Sequence, residues 1–194
     1  MAMTVHRRLT AICAAALAIC AVLAAGSPAR AQDKDTYTKE EILDKARTFF
    51  GDTTQGLARA IEKAFAEQGK PNGYITGEEA SGAIGVGLRY GVGELFLKRN
   101  NTRKAYWQGP SVGFDIGGNA SKVFTLVYNL QDPEKLYQRF PGVEGSLYVV
   151  AGVGLNYLKS NNIVLAPIRT GVGLRAGASV GYLHYTKEKS WVPF

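Results

Sequence analysis

The chain holds 194 residues, 23 of them lysine or arginine and 16 aspartate or glutamate, for a net charge of +7. Arg7, Arg8 and Arg30 fall in the first 31 residues, which carry no acid; beyond them 20 basic against 16 acidic residues leave +4, too mild for a nucleic-acid-binding stripe. Both cysteines, Cys13 and Cys20, lie in that same opening segment, so disulfides, thiol catalysis and cysteine metal sites are excluded from the remainder.

The opening segment has the three parts of a secretory signal peptide. Arg7 and Arg8 precede an apolar run from Leu9 to about Ala25, Ser27-Pro28 breaks it, and Ala29-Arg30-Ala31 fits the cleavage rule. The run is shorter than the ~20 residues of a spanning helix. Ile12 and Ile19, before the cysteines, do not suit lipidation. The expectation is a signal over 1–31 and one domain over 32–194.

Thr38-Lys39-Glu40-Glu41 is a capping box, so a helix is predicted there, with Ile42, Ala46, Phe49 and Phe50 on its apolar face and Gly51 at its end. Asp52 or Thr53 is expected to cap a second helix bearing Leu57, Ile61, Ala64 and Phe65, which ends at Gly69 and Pro71. The two form a helical hairpin, about 38–70, whose stripe packs on a sheet or lies on a membrane surface.

From Asn72-Gly73 onward the chain reads as strands and turns. Short strands are expected at Tyr74–Thr76, Ala83–Tyr90, Val92–Lys98 and Arg103–Gln108, with Gly109-Pro110 as a break. Ser111–Gly117 and Lys122–Tyr128 form a hairpin around Gly118-Asn119. Asp132-Pro133-Glu134 starts a short helix that includes Leu136, Tyr137 and Phe140. Ser146–Leu158, Ile163–Ile168 and Gly171–Tyr185 complete the set. The fold class is mainly β: a small closed antiparallel β-barrel of about eight strands over 73–194, with the helical hairpin before it and one short helix inserted.

A glycine pattern runs through these strands. Ile84-Gly85-Val86-Gly87-Leu88, Ala151-Gly152-Val153-Gly154-Leu155 and Thr170-Gly171-Val172-Gly173-Leu174 are three copies, and Val112-Gly113-Phe114 is a looser fourth. Strand alternation then leaves one face bulky and the other bare. Glycine weakens strands, so the bareness serves either sharp coiling and close packing or room for a ligand or bilayer. It does not serve a dinucleotide: Gly171, Gly173 and Gly177 give the wrong spacing, and no phosphate-binding loop occurs.

Few residues suggest chemistry. His184 has no sequence partner for a metal or a triad, and Glu78-Glu79 and Glu94 are dispersed rather than spaced as a glycosidase pair. Catalytic and metal sites, cofactors and enzymatic activity are therefore not expected. Asp115, Arg89 and Arg175 fall on bare strand faces. They read either as a structural Asp–Arg contact or as an anionic-ligand site. Tyr106 and Trp107 add an aromatic pair, commonly core packing and also the kind that lines lipid or sugar sites. The candidate ligand-binding set is thus Arg89, Arg175, Asp115, Tyr106 and Trp107.

The helical opening, Gly82 to Leu97, the stretch from Tyr106-Trp107-Gln108-Gly109-Pro110 through Asp115-Ile116-Gly117-Gly118-Asn119 to Val123, and Leu126-Val127-Tyr128-Asn129-Leu130 resemble the envelope integrity protein A (EipA) family. The resemblance implies a soluble periplasmic β-barrel protein that keeps the Gram-negative envelope intact, linked to lipopolysaccharide O-polysaccharide, with no catalytic residues to carry over. Gly85-Val86-Gly87 and the stretch from Pro110 to Gly118 are also similar, more weakly, to the SYLF lipid-binding domain. The function expected is a non-enzymatic periplasmic barrel supporting envelope integrity, its partner an anionic lipid or envelope glycan. The alternatives are a small outer-membrane barrel, which the terminal Phe194 favours and Pro193 opposes, and an enzyme acting on envelope polymers.

Overall fold

A computed structural model of the chain describes residues 35–51, 54–99, 101–113, 119–170 and 181–190, without side-chain detail at 81–86, 101, 111–113, 119 and 120. The segment read as a signal peptide, and both cysteines, lie outside the described residues. The predicted capping box opens helix α1, Lys39–Phe50: the Glu41 N–H donates to the Thr38 hydroxyl at 3.2 Å, and the Thr38 N–H donates to the Glu41 carboxylate at 2.9 Å. Gly51 ends it, its N–H donating to the Arg47 carbonyl. Helix α2, Gln55–Gln68, is capped by Thr54 rather than by Asp52 or Thr53, because Thr54 is the residue whose hydroxyl receives the Leu57 N–H.

Among the described residues nine antiparallel strands follow: β1 Gly73–Leu97, β2 Asn101–Gly113, β3 Asn119–Tyr128, β4 Arg139–Pro141, β5 Tyr148–Val150, β6 Val153–Leu155, β7 Leu158–Ser160, β8 Ile163–Thr170 and β9 Tyr182–Thr186. Their order across the sheet is β4-β9-β2-β1-β3-β8-β6-β5, with β7 also paired to β8. β1 merges three of the predicted short strands. Drawn straight it would be about 80 Å long, twice the width of a domain this size, so it has to bend. It pairs with β3 over Gly73–Ser81 and with β2 over Gly85–Leu97. The sheet therefore curls around its longest strand.

The curl creates two cores. On its inner side lie Ile75, Leu95, Ala105, Trp107, Val123, Val127, Leu165, Leu183 and Tyr185. On the outer side of β3 and β8, Phe124, Leu126, Tyr128, Val164, Ala166 and Ile168 pack under the helix residues Ile42, Ala46, Leu57, Ile61 and Ala64. β8 is consequently buried on both faces from Ile163 to Arg169. Pro167, which has no N–H to give a ladder, sits where β8 passes from its β6 pairing to its β7 pairing.

Three expectations change. Gly109-Pro110 does not interrupt β2, which continues to Gly113. The short helix is a 3-10 turn over Pro133–Leu136. Phe140 belongs to β4, where it pairs with Leu183 of β9, so sheet pairing has captured the end of the predicted helix. The long strand Ser146–Leu158 is three strands. Ala151 and Gly152 both have positive φ, 45° and 78°, which turns the chain between β5 and β6, so that glycine copy is a hairpin turn. The β4 side of the curl meets β7 through one antiparallel bridge, Gly142 to Leu158. The mainly β class stands, as a curled antiparallel half-barrel, and among the described residues no continuous ladder runs from β4 to β7.

The bare face of β1 is its inner face. Gly87 is buried, while its neighbours Leu88 and Val92 point outward at 39% and 51% exposure. A Cβ on Gly91 would stand 2.0 Å from the Trp107 indole. One on Gly93 would stand 2.2 Å from the Thr76 carbonyl oxygen and 2.9 Å from the Gly77 Cα. The two halves of β1 thus approach each other at Gly77 and Gly93, and backbone cannot yield as a flexible side chain can. We expect Gly93→Ala to destabilise the protein by about 1–3 kcal/mol, and Val92→Ala to stay within ~0.5 kcal/mol, in urea unfolding. Equal midpoints for the two variants would show that the close approach is not needed.

Candidate functional site

Alternation along the first half of β1 sends Ile75, Gly77 and Glu79 to the inside of the curl. Glu79 is a carboxylate only 4% exposed. Burying an isolated charge costs several kcal/mol, so the fold has to supply partners. Arg169, inward-facing near the end of β8, donates from Nε to Glu79 Oε1 at 3.0 Å and from Nη2 to Oε2 at 3.3 Å. Arg89, from the second half of β1, brings its Nε to 3.2 Å from Oε1. The Trp107 indole N–H, from β2, donates to Oε2 at 2.9 Å. Arg169 Nη1 in turn donates to Asn156 Oδ1 at 2.9 Å, in the link between β6 and β7.

Both carboxylate oxygens are occupied by charged or strongly polar donors. Burial pushes the Glu79 carboxyl up, but Arg169 and Arg89 outweigh it, and the hydrogen bonds from Arg169 and Trp107 add to them. The group is held below the usual carboxylate range. Tyr185 stacks obliquely against Trp107, ring centroids 5.8 Å apart, and its burial raises its own pKa. A carboxylate locked in its ionised form between two guanidinium groups is a poor general acid or base. What the cluster does chemically is tie five segments of chain together.

The structure places the sequence-predicted residues unevenly. Arg89 and Trp107 are both in the cluster. Tyr106, next to Trp107, points to the opposite face of β2, where it pairs across to Val92 and Thr186. Arg175 and Asp115 lie outside the described residues. The acid that Arg89 meets is Glu79, and the second arginine in the cluster is Arg169. Sequence reasoning assigned neither. Their signal was available only as parity: Glu79 shares a face with Ile75, and Arg169 shares one with Ile163 and Leu165 in an otherwise apolar run. Elsewhere, a pocket of about 30 Å³ lined by Asp35, Asn72, Leu97, Arg99, Leu130 and Gln131 has room for little more than water.

The cluster makes stability depend on acid. A carboxylate with a lowered folded pKa contributes in full above its unfolded value, about 4.3, and loses that contribution as pH falls toward the folded value. Glu79→Gln leaves two arginines buried against a neutral amide, and we expect a loss of about 3–5 kcal/mol at pH 7 by urea unfolding. The variant's stability is also expected to change less than wild type's between pH 5 and pH 3. Glu78→Gln, on the exposed face of the same strand, is the control expected to stay within ~0.5 kcal/mol. A Glu79 variant as stable as the control would remove the cluster from the account of the fold.

Two comparisons with known proteins bear on the family. A search of curated proteins found no match. Among solved structures, one described as a beta-barrel-like, uncharacterized protein from Brucella abortus is 55% identical, covering 82% of this chain and 99% of that one, with a TM-score of 0.75. The family model for envelope integrity protein A matches residues 35–194. That match takes in α1, α2, the nine strands of the described residues and the Glu79 cluster, and the chain belongs to the envelope integrity protein A family.

Proposed function

We propose that the protein is a non-enzymatic component of the periplasm that supports envelope integrity, in connection with lipopolysaccharide O-polysaccharide, by holding an anionic lipid or an envelope glycan. The observation that carries the non-enzymatic reading is the engagement of Glu79. The carboxylate inside the curl is committed to Arg169, Arg89 and Trp107 rather than held ready for proton transfer. Family membership supports the envelope role. Among the described residues no helix is long and apolar enough to cross a membrane. The outer faces of β3 and β8, which a membrane barrel would present to lipid, are instead covered by α1 and α2.

The inner core is filled by side chains, so the binding surface in this reading is the outer wall rather than the lumen. The outer face of β2, β9 and β4 contributes nothing to the core under the helices and carries Tyr106, Tyr182 and Pro110 beside the exposed Leu88 and Val92 of β1. The test is native mass spectrometry of protein released from its own periplasm, followed by incubation of the purified protein with isolated lipopolysaccharide. A retained lipid or glycan mass with chemically unchanged lipopolysaccharide is the expected result. Cleavage or modification of the polysaccharide would make the protein an enzyme. Ligand-free protein that shows no affinity for the polysaccharide would end the binding reading.

A further inference from the structure

The two sides of the curl meet along its shortest described pairings. Among the described residues β4 pairs with β9 over Arg139–Pro141, with the Tyr185 and Gly142 N–H groups donating to the Gln138 and Gly181 carbonyls at either end, β9 pairs with β2 over Tyr106–Gln108, and beyond β4 the Gly142–Leu158 bridge and the Val143 N–H to the Tyr157 carbonyl reach the β7 side. By contrast β1 and β2 pair without a break from Gly85 to Leu97. In the middle of this weak seam stands His184. It is the residue of β9 that pairs with both sides at once, with Gln108 of β2 and with Arg139 of β4.

Its surroundings suit a neutral imidazole. Nδ1 is buried and has no hydrogen-bond partner among the described residues. From β4 the imidazole faces the Arg139 guanidinium, which leans over the Tyr182 ring at 5.3 Å. From β2 it faces the neutral Gln108, with the Tyr106 phenol two pairs along. Along β9 the next charged groups are Lys187, paired with Glu134, and Glu188. Among the described residues beside it, Arg139 is the charged group it meets, and it is a cation.

We propose that His184 is a pH-sensitive clasp: taking up a proton there loosens β4 from β9 and parts Gly142 from Leu158, opening the curl at its seam. A protonated ring would place a second positive charge beside Arg139 in a site that offers no carboxylate among the described residues. Burial and Arg139 both lower the affinity of the closed form for that proton. The loosened form binds it better. The seam is therefore fully held above the ordinary histidine value of about 6.5 and weakens as pH falls below it, well above the range where Glu79 titrates.

The test is amide hydrogen exchange of the full chain at pH 7.5 and pH 5.0, with rates corrected for intrinsic pH dependence. Protection at Arg139–Gly142 and Tyr182–Thr186 is expected to fall at least about threefold at pH 5.0, while β1 and β3 keep theirs. His184→Gln is expected to show equal seam protection at both pH values. Arg139→Gln, which removes the neighbouring cation, is expected to shrink the fall and serves as the second variant should the first not fold. Seam protection unchanged by pH in wild type overturns the proposal, as does an equal fall in wild type and both variants.

Discussion

A carboxylate inside a curled sheet is the constraint on which the rest of this structure depends. Glu79 cannot stand buried and unpaired, and its partners come from far along the chain: Arg89 and Trp107 from the β1–β2 hairpin, Arg169 from β8, and Asn156 through Arg169. An apolar cluster of the same volume would hold these segments about as strongly, since buried ion pairs gain little net energy. What the ionic cluster adds is selectivity. A one-residue slip of either half of β1 would turn Glu79 or Arg89 outward and leave its partner charged and buried. The pairing register is thus enforced where glycine, with no side chain to pack, could not enforce it.

The glycines and the large inner side chains are two sides of one arrangement. Gly77 and Gly91 leave the space that the Trp107 indole fills, and Gly93 lets the second half of β1 come down on the first. The indole N–H then reaches Glu79. Bareness on this face serves neither a ligand nor a bilayer at these positions; it is taken up by the chain itself. The consequence for function is geometric. With the inside occupied and β3 and β8 covered by helices, the binding proposed above is assigned to the other side of the sheet, where Leu88 and Val92 remain exposed.

The helices were legible because their signals are local. A capping box spans four residues, and the Thr38–Glu41 exchange needs nothing from the rest of the chain. The mainly β class was legible from alternation. The strand boundaries were less so: Ala151-Gly152 reads like the other glycine copies but is a turn, because two successive positive φ values are a property of the backbone path and not of the residue pair. Phe140 fits helical spacing, yet pairing with Leu183 decides its state. The candidate cluster was half legible. Arg89 and Trp107 stood out by residue type, whereas Glu79 and Arg169 are 90 positions apart, and their meeting follows from β3 lying between β1 and β8.

Glu79 and His184, two of the titratable groups that the fold perturbs, sit at opposite extremes of its cohesion. Glu79 lies where long ladders converge: β1 with β3 from Gly73 to Ser81, and β3 with β8 from Val123 to Tyr128. Disturbing it means disturbing the longest runs of paired backbone around the cluster. His184 lies where, among the described residues, short ladders, one bridge and a few further backbone hydrogen bonds join the two sides of the curl. Local opening takes the path of fewest paired backbone groups, so the free energy of opening there is a small part of the global value. A charge of modest cost, negligible against the β1 ladders, is comparable to what holds the seam. The same physics of an ionisable group out of water therefore gives a rigid pin at one place and a responsive edge at the other, and the length of the surrounding ladders decides which.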